Sequence, residues 1–304
     1  MQPKVKKTWE QVDGVLLLDK PVGLSSNDAL QKARRLFSAA KGGHTGTLDP
    51  LASGLLPLCF GEATKFSADL LDADKTYEAT LQLGVTTDSG DAEGLVTATA
   101  DVNVNEADLQ AILLKFTGDI DQIPPMHSAL KRDGRPLYEL ARQGIEVPRE
   151  ARRITIHAIE SLEFSGDVVR LRVACSKGTY IRVLSADIGA ALGCGAHLTA
   201  LRRTRVADLS LDGAVTLAEL EALPEDERAG HLAPVDALLQ SLPRVDIDGE
   251  AEQRFSHGNP VDLPAGLQGK IRVYADQTLI GVGEPGPGGR LWPKRLVQLA
   301  SKPL

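Results

Sequence analysis

Short apolar runs bounded by glycine or proline alternate along the chain with stretches of helical spacing. Gly14-Val-Leu-Leu-Leu-Asp-Lys20, stopped by Pro21 and Gly23, predicts a buried strand and a turn. Ser26 or Asn27 is placed to cap a helix with Leu30, Ala33 and Phe37 on its apolar face, ending near Gly42. Residues 42 to 54 are rich in Gly, Thr and Ser, contain Pro50, and read as a loop. A strand over 55–60, a helix over 62–71 and a strand over 76–83 follow, the last with Tyr77, Ala79, Leu81 and Leu83 alternating toward one face. Polar residues 88–94 predict a turn, leading to a strand at 95–99 and a helix at 106–116.

Residues 121–150 form an excursion: Ile123-Pro-Pro-Met126, a hairpin signal at Arg132-Asp-Gly-Arg135, and a short helix over 137–142 ending at Gly144. Its Lys131, Arg132, Arg135 and Arg142 make it a candidate basic flap. Strands at 154–164 and 168–175, a helix at 180–192 and a strand at 197–206 complete the main part. Most strands are neighbours in sequence, which predicts an α+β fold with a mixed, largely antiparallel sheet. Two short helices near 217–239, broken by Pro234 and Pro243, form a connector. From about Val245 a single helix and three short strands at 269–275, 278–283 and 290–298 predict a small β-rich C-terminal domain. The expected division is therefore 1–240, with the insertion at about 121–150, and 245–304.

With 304 residues the chain is about twice a typical domain, in keeping with that division. No apolar run approaches the roughly 20 residues needed to cross a bilayer, and Lys4, Lys6 and Lys7 lead into Trp9, Glu10 and Asp13 rather than an export signal. The expected location is cytoplasmic. Cys59, Cys175 and Cys194, odd in number and without a CxxC pair, read as core thiols, and Cys194-Gly-Ala-His197 supplies too few ligands for a zinc site. Net charge is -7, yet residues 131–205 hold 14 bases against 8 acids, 254–304 hold 7 against 3, and the stretch between holds 2 against 12. On composition alone such blocks are solvated faces of a large enzyme first, though two basic segments split by an acidic one would also suit a polyanion held at two places.

Several motifs fail on inspection. Asp72-Ala-Asp74 opens like a calcium loop but lacks its glycine and terminal glutamate, and no phosphate-binding loop, GxGxxG, GxSxG or HExxH is present. What remains is Gly43-His-Thr-Gly-Thr-Leu-Asp-Pro-Leu-Ala-Ser-Gly54 and Cys175-Ser-Lys-Gly-Thr-Tyr-Ile-Arg182. Asp49 precedes a proline, which holds it out of the helical region among small neighbours that would admit a substrate, though Asp-Pro is also an ordinary turn starter. Thr179 is a candidate N-cap, leaving Arg182 in a first helical turn where the macrodipole disfavours a cation. Such an arginine either points into water or meets a carboxylate from another loop, for which Asp49 is the candidate.

Together with Asp19-Lys-Pro21, Lys75-Thr-Tyr77 and Gly193-Cys-Gly-Ala-His-Leu-Thr-Ala-Leu-Arg-Arg203, these two segments resemble the bacterial tRNA pseudouridine synthase family that modifies uridine 55 of the T-loop. The resemblance runs from about residue 12 to the C-terminus, whose last part is similar to a PUA RNA-binding domain. It implies a cofactor-free isomerase with Asp49 as nucleophile, attacking C1′ of the ribose or C6 of the base, and Arg182 keeping that carboxylate ionised. It implies further that Tyr77 stacks on a flipped-out uracil, with Tyr180 and Leu201 completing the pocket. His44 would lie against the T-loop and Lys20 would support the floor of the site. On strand spacing alone Tyr77 serves equally as core. The flap would clamp RNA, and the C-terminal domain would hold the acceptor end of tRNA. Thr47 and Ser53 stand where the family commonly has Ala and Thr, and His127 where Tyr is usual, which removes any expected stacking role at 127.

Two other classes compete with that reading. A tRNA-binding or folding factor could use the same pocket without chemistry. A nucleoside hydrolase could use Asp49 with water, but glycosidic hydrolysis needs a second positioned carboxylate, and no nearby acid stands out. Nothing marks a docking extension for partner proteins, so the expectation is a monomer acting on tRNA, with no obligate protein partner and no membrane.

Overall fold

The computed structural model describes residues 8–128, 130–132, 134–262, 264 and 266–298. Lys4, Lys6, Lys7, Asp133 of the hairpin signal and the last six residues of the expected C-terminal domain lie outside the described residues. The chain divides into two compact units. One draws on residues up to 49, 55–71 and from 210 onward; the other on 50–54 and 72–209.

In the first unit the strand Gly14–Lys20 pairs in parallel with Val215–Thr216 and antiparallel with Leu232–Ala233. The helix Ser26–Leu36 buries Ala29, Leu30 and Ala33. Its N-cap is Ser25, one residue before the expected position: the Ser25 hydroxyl accepts from the Asp28 N–H at 3.1 Å, which frees Ser26 for a tertiary role. Arg228, one of only two bases in the acidic connector, closes helix ends. Its guanidinium donates to Leu36 C=O at 3.0 Å, to Leu220 C=O at 2.9 Å and to Leu223 C=O at 3.0 Å, carbonyls that a helix leaves without partners.

The expected loop over 42–54 contains strand at both ends. Gly42–His44 pairs antiparallel with Leu58–Phe60, and the strand Ala52–Phe60 begins three residues earlier than its apolar run. Neither piece carries a periodic signal, because one is three residues long and the other starts Ala-Ser-Gly.

The C-terminal sheet also belongs to the first unit. Strands Arg244–Asp246, Ile271–Ala275, Thr278–Gly286, Arg290–Leu296 and Val261–Asp262 lie in that order around Val245, Phe255, Val261, Ile271, Val273 and Leu291. The Tyr274 hydroxyl donates to Asp236, and Arg272 donates to Leu242 C=O at 3.0 Å and Gln240 at 2.9 Å, tying the sheet to the connector.

In the second unit the strands run in the order Ala52–Gly54, Ala196–Val206, Lys75–Leu83, Val168–Cys175, Arg152–Ser165 and Gly118–Gln122. Only the first of these pairings is parallel, so the mixed, largely antiparallel α+β expectation is met. Helices Glu106–Lys115 and Ile181–Leu192 cover one face, burying Leu109, Ile112, Leu113, Ile181, Leu184 and Ile188. Asn105 and Asp108 form a capping box on the first, and Gly193, at φ 84°, ends the second.

Gly54 sits opposite Arg203 with φ +101°, and a Cβ there would lie 2.2 Å from the Arg203 carbonyl oxygen. Its smallness therefore serves strand approach rather than substrate entry. Gly54→Ala is expected to lower unfolding free energy by about 3 kcal/mol in urea titration, combining backbone strain with separation of the two strands.

Candidate active site

The residues around Asp49 are held by a chain of polar contacts that starts in the first strand. Lys20 is fully buried, and its Nζ donates to Pro21 C=O at 2.8 Å and Leu24 C=O at 2.7 Å. A buried ammonium needs such acceptors, and in taking them it fixes the turn that delivers Ser25 and Ser26. The buried Ser26 hydroxyl accepts from the Leu48 N–H at 2.7 Å and donates to the Leu48 C=O at 3.0 Å. One hydroxyl thus holds both backbone groups of the residue before Asp49. His44 ends its short strand, and the Thr45 N–H extends the ladder to Pro57 C=O at 3.2 Å. Asp49 itself is partly buried.

The second unit carries Tyr77, Tyr180, Arg182 and Leu201. Tyr77 lies on the inward face of its strand, 9% exposed, in register with Val173 and Arg203. Leu201, 8% exposed, is in register with Ala79 and Ala52, one row along. Tyr180, not Thr179, is the N-cap of the Ile181–Leu192 helix, while the Thr179 hydroxyl donates to Ser176 C=O at 3.0 Å. Gln122 is 2% exposed and clamps Tyr180 from both sides: Tyr180 N–H donates to Gln122 Oε1 at 2.8 Å, and Gln122 Nε2 donates to Tyr180 C=O at 3.2 Å.

Arg182 does not point into water; its side chain is 5% exposed. Its Nε lies 3.4 Å from a carboxylate oxygen of the equally buried Asp91, and its terminal nitrogens donate to Ser89 C=O at 3.1 Å and His127 C=O at 2.6 Å. The Asp91 carboxylate also accepts from the Ser89 hydroxyl at 2.6 Å and the Glu93 N–H at 3.1 Å. Sequence reasoning missed Asp91 and Gln122. Asp88-Ser-Gly-Asp91 signals only a turn, and a single glutamine at the end of a strand gives no signal at all.

Other candidate groups are accounted for structurally. Asp72 and Asp74 pair with Lys177 at 2.9 Å and His157 at 3.0 Å. His197 Nδ1 meets Val85 C=O at 3.0 Å. All three cysteines are buried, and burial pushes the Cys59 thiol up to about 12 and the Cys175 thiol up to about 11, leaving both protonated at neutral pH. Burial, with Arg203 nearby, pushes Lys75 down to about 8, and its ammonium donates to Ala73 C=O.

The TruB family pseudouridylate synthase N-terminal domain matches residues 34–181, the tRNA pseudouridylate synthase B C-terminal domain matches 182–240, and the pseudouridine synthase II TruB C-terminal region matches 243–297. A protein of Dechloromonas aromatica named tRNA pseudouridine synthase B is 75% identical over 97% of this chain and 99% of its own length. Another of that name from Aromatoleum aromaticum is 59% identical over 94% and 93%. Among solved structures, a Cbf5-Nop10-Gar1 complex contains a chain matching at TM-score 0.72 and 28% identity, covering 93% of this chain and 84% of that one. An H/ACA RNP bound to a substrate RNA containing 2'-deoxyuridine matches at 0.72 and 25% identity, over 94% and 85%. Fold and sequence therefore define a pseudouridine synthase, an isomerase converting uridine to pseudouridine in tRNA. Within that class the chain belongs to the TruB family.

Two outcomes follow from the buried charges. Asp91→Ala strips a carboxylate from a buried guanidinium and is expected to cost about 3 kcal/mol of stability. In a double-mutant cycle with Arg182→Ala, the combined loss is smaller than the sum of the two. Lys75 releases its proton near pH 8 when folded and near 10.5 when unfolded, so its burial opposes folding below pH 8 and ceases to do so as pH rises to about 10.5. The stability gained by Lys75→Met should accordingly be largest at pH 7 and shrink above pH 8 in parallel urea titrations.

Proposed function

We propose that this enzyme acts on uridine 55 in the T-loop of tRNA, with Asp49 as nucleophile on a uridine flipped out of its stack. The observation carrying this reading is the Ser26 clamp on Leu48, which gives the residue before Asp49 a fixed backbone without using the Asp49 carboxylate. The reaction needs one such group. The C1′–N1 bond breaks, the freed uracil turns, a C1′–C5 bond forms, the C5 proton leaves, and N1 takes up a proton in its place. Nothing is oxidised or reduced, so no cofactor is required. Attack by Asp49 at C1′ with N1 leaving, or addition at C6, both satisfy this balance.

In this reading Arg182 is the cation that keeps Asp49 ionised, and Asp91 orients that cation. Tyr77 stacks on the uracil, Tyr180 and Leu201 close the pocket, His44 faces the T-loop, and Lys20 supports the floor by fixing the turn before Ser26. Residues 1–240 form the catalytic domain, with 121–150 clamping RNA. Residues 245–304 form a PUA-like RNA-binding domain that takes the acceptor end. The enzyme works as a cytoplasmic monomer without an obligate protein partner.

The test uses unmodified tRNA carrying tritium at C5 of uridine. Wild type should release one tritium per tRNA, mapped to uridine 55, while Asp49→Asn binds the same tRNA and releases none. Binding by the wild type without release would make the chain an RNA-binding or folding factor; loss of binding in parallel with turnover in Asp49→Asn would remove Asp49 from the chemistry.

A further inference from the structure

The strand Gly118–Gln122 is the outermost of its sheet, and its last residue is the most enclosed. Asp119 and Asp121 face outward, Gly118 and Ile120 are half-buried, and Gln122 is 2% exposed. The strand period of two puts Gly118, Ile120 and Gln122 on one face, so Gln122 holds a position that an apolar side chain would ordinarily fill. A primary amide enclosed there is unfavourable unless its polar atoms find partners. Both find them on one residue, Tyr180, 58 positions away. Tyr180 N–H can only donate and its C=O can only accept, so the two bonds fix which way round the amide sits.

Tyr180 is the joint between a turn and a helix. Gly178, at φ +80°, swings the chain round, and Tyr180 follows in extended conformation at φ -103° and ψ 107°, with no side-chain cap on the helix it opens. Its C=O already accepts the first helical bond, from Leu184 N–H at 3.0 Å. One planar amide holding both the N–H and the C=O of that joint sets the plane of the Tyr180 backbone, and with it the direction of the Cα–Cβ bond that carries the ring. Further along the same segment, His127 C=O accepts from Arg182, but Arg182 also has Asp91 and Ser89 as acceptors. Loss of the Gln122 amide therefore bears on Tyr180 and leaves Arg182 anchored.

We infer that Gln122 is a positioning residue of the synthase reaction, holding the Tyr180 backbone so that the ring meets the flipped-out base at the angle the chemical step requires. This rests on the reading of Tyr180 as a wall of the base pocket. Gln122 itself touches no reacting atom. Its effect belongs to the chemical step and not to capture of the tRNA, because a small error in how the base is held slows reaction far more than it weakens a large interface.

Tritium release from unmodified tRNA labelled at C5 of uridine is followed with full-length chains. Gln122→Leu removes both bonds, and kcat and kcat/KM are expected to fall together about tenfold with KM unchanged. Gln122→Glu adds a pH signature. Protonated, its carboxyl offers one donor and one acceptor as the amide does; ionised, it sets a negative charge against Tyr180 C=O. Burial raises a carboxyl pKa, so kcat of Gln122→Glu relative to wild type at the same pH should rise as pH falls from about 8 to about 6. In Tyr180→Ala the backbone bonds to Gln122 survive but there is no ring to aim, so adding Gln122→Leu should cost less than about twofold. A full tenfold further loss in that background, a loss confined to KM, wild-type kcat in Gln122→Leu, or a flat pH ratio in Gln122→Glu would each overturn the inference and leave the pocket reading standing. Wild-type kcat in Tyr180→Ala would overturn the pocket reading and the inference with it. Urea titration of each variant separates these outcomes from unfolding, and if Gln122→Leu does not fold, the pH ratio of Gln122→Glu decides.

Discussion

An arginine cannot shed its charge when it is buried, so its surroundings must supply acceptors. Arg182 imposes that demand on the second unit. Two separate stretches answer it: the polar turn, with the Ser89 carbonyl and the Asp91 carboxylate, and the His127 carbonyl. Both are short of regular structure, the turn having only a single bridge from Asp91 to Leu198. The start of a helix, a polar turn and the root of the basic insertion are thereby set by one guanidinium. A neutral side chain at 182 would leave Asp91 as a buried charge and His127 without its donor.

Two neutral clamps extend the same principle. Ser26 holds both backbone groups of Leu48, and Gln122 holds both of Tyr180. Each side chain stands in for a strand neighbour, offering one donor and one acceptor to a residue just outside regular structure. These contacts explain how loops rich in small residues keep a defined course. The clamped residues stand just before two candidate site residues, Leu48 before Asp49 and Tyr180 two positions before Arg182.

The legible part of the fold was the part governed by periodicity. Tyr77, Ala79, Leu81 and Leu83 alternate in the sequence and are buried as read, and the helix over 106–115 carries its capping signal openly. Contacts made across the chain were not legible. The strands at 42–44 and 52–54 exist because of what they pair with, Ser26 has its role because Ser25 takes the cap, and Asp91 looks like any turn acid until its burial is seen. The charge blocks misled in degree. Within the basic stretch 131–205, Arg149, Arg153, Arg170, Arg172 and Lys177 all have acidic partners, so the field available to a polyanion is smaller than the count of bases suggests. The two candidate motifs stand out in the sequence, but the groups that hold them, Ser26, Asp91 and Gln122, do not.

The path of the backbone through the two units sets the order in which the enzyme can be made. The first unit joins residues before 49 to residues after 210, while 72–209 fold among themselves. On a ribosome the early segment Gly14–Lys20 emerges long before Val215 and Leu232, its partners in the sheet. Contacts so distant in sequence form slowly and leave strand edges uncovered in the meantime. The interior piece can mature during synthesis, whereas the unit carrying Asp49 must wait for the last third of the chain. The first unit therefore closes only when residues beyond 210 become available to it.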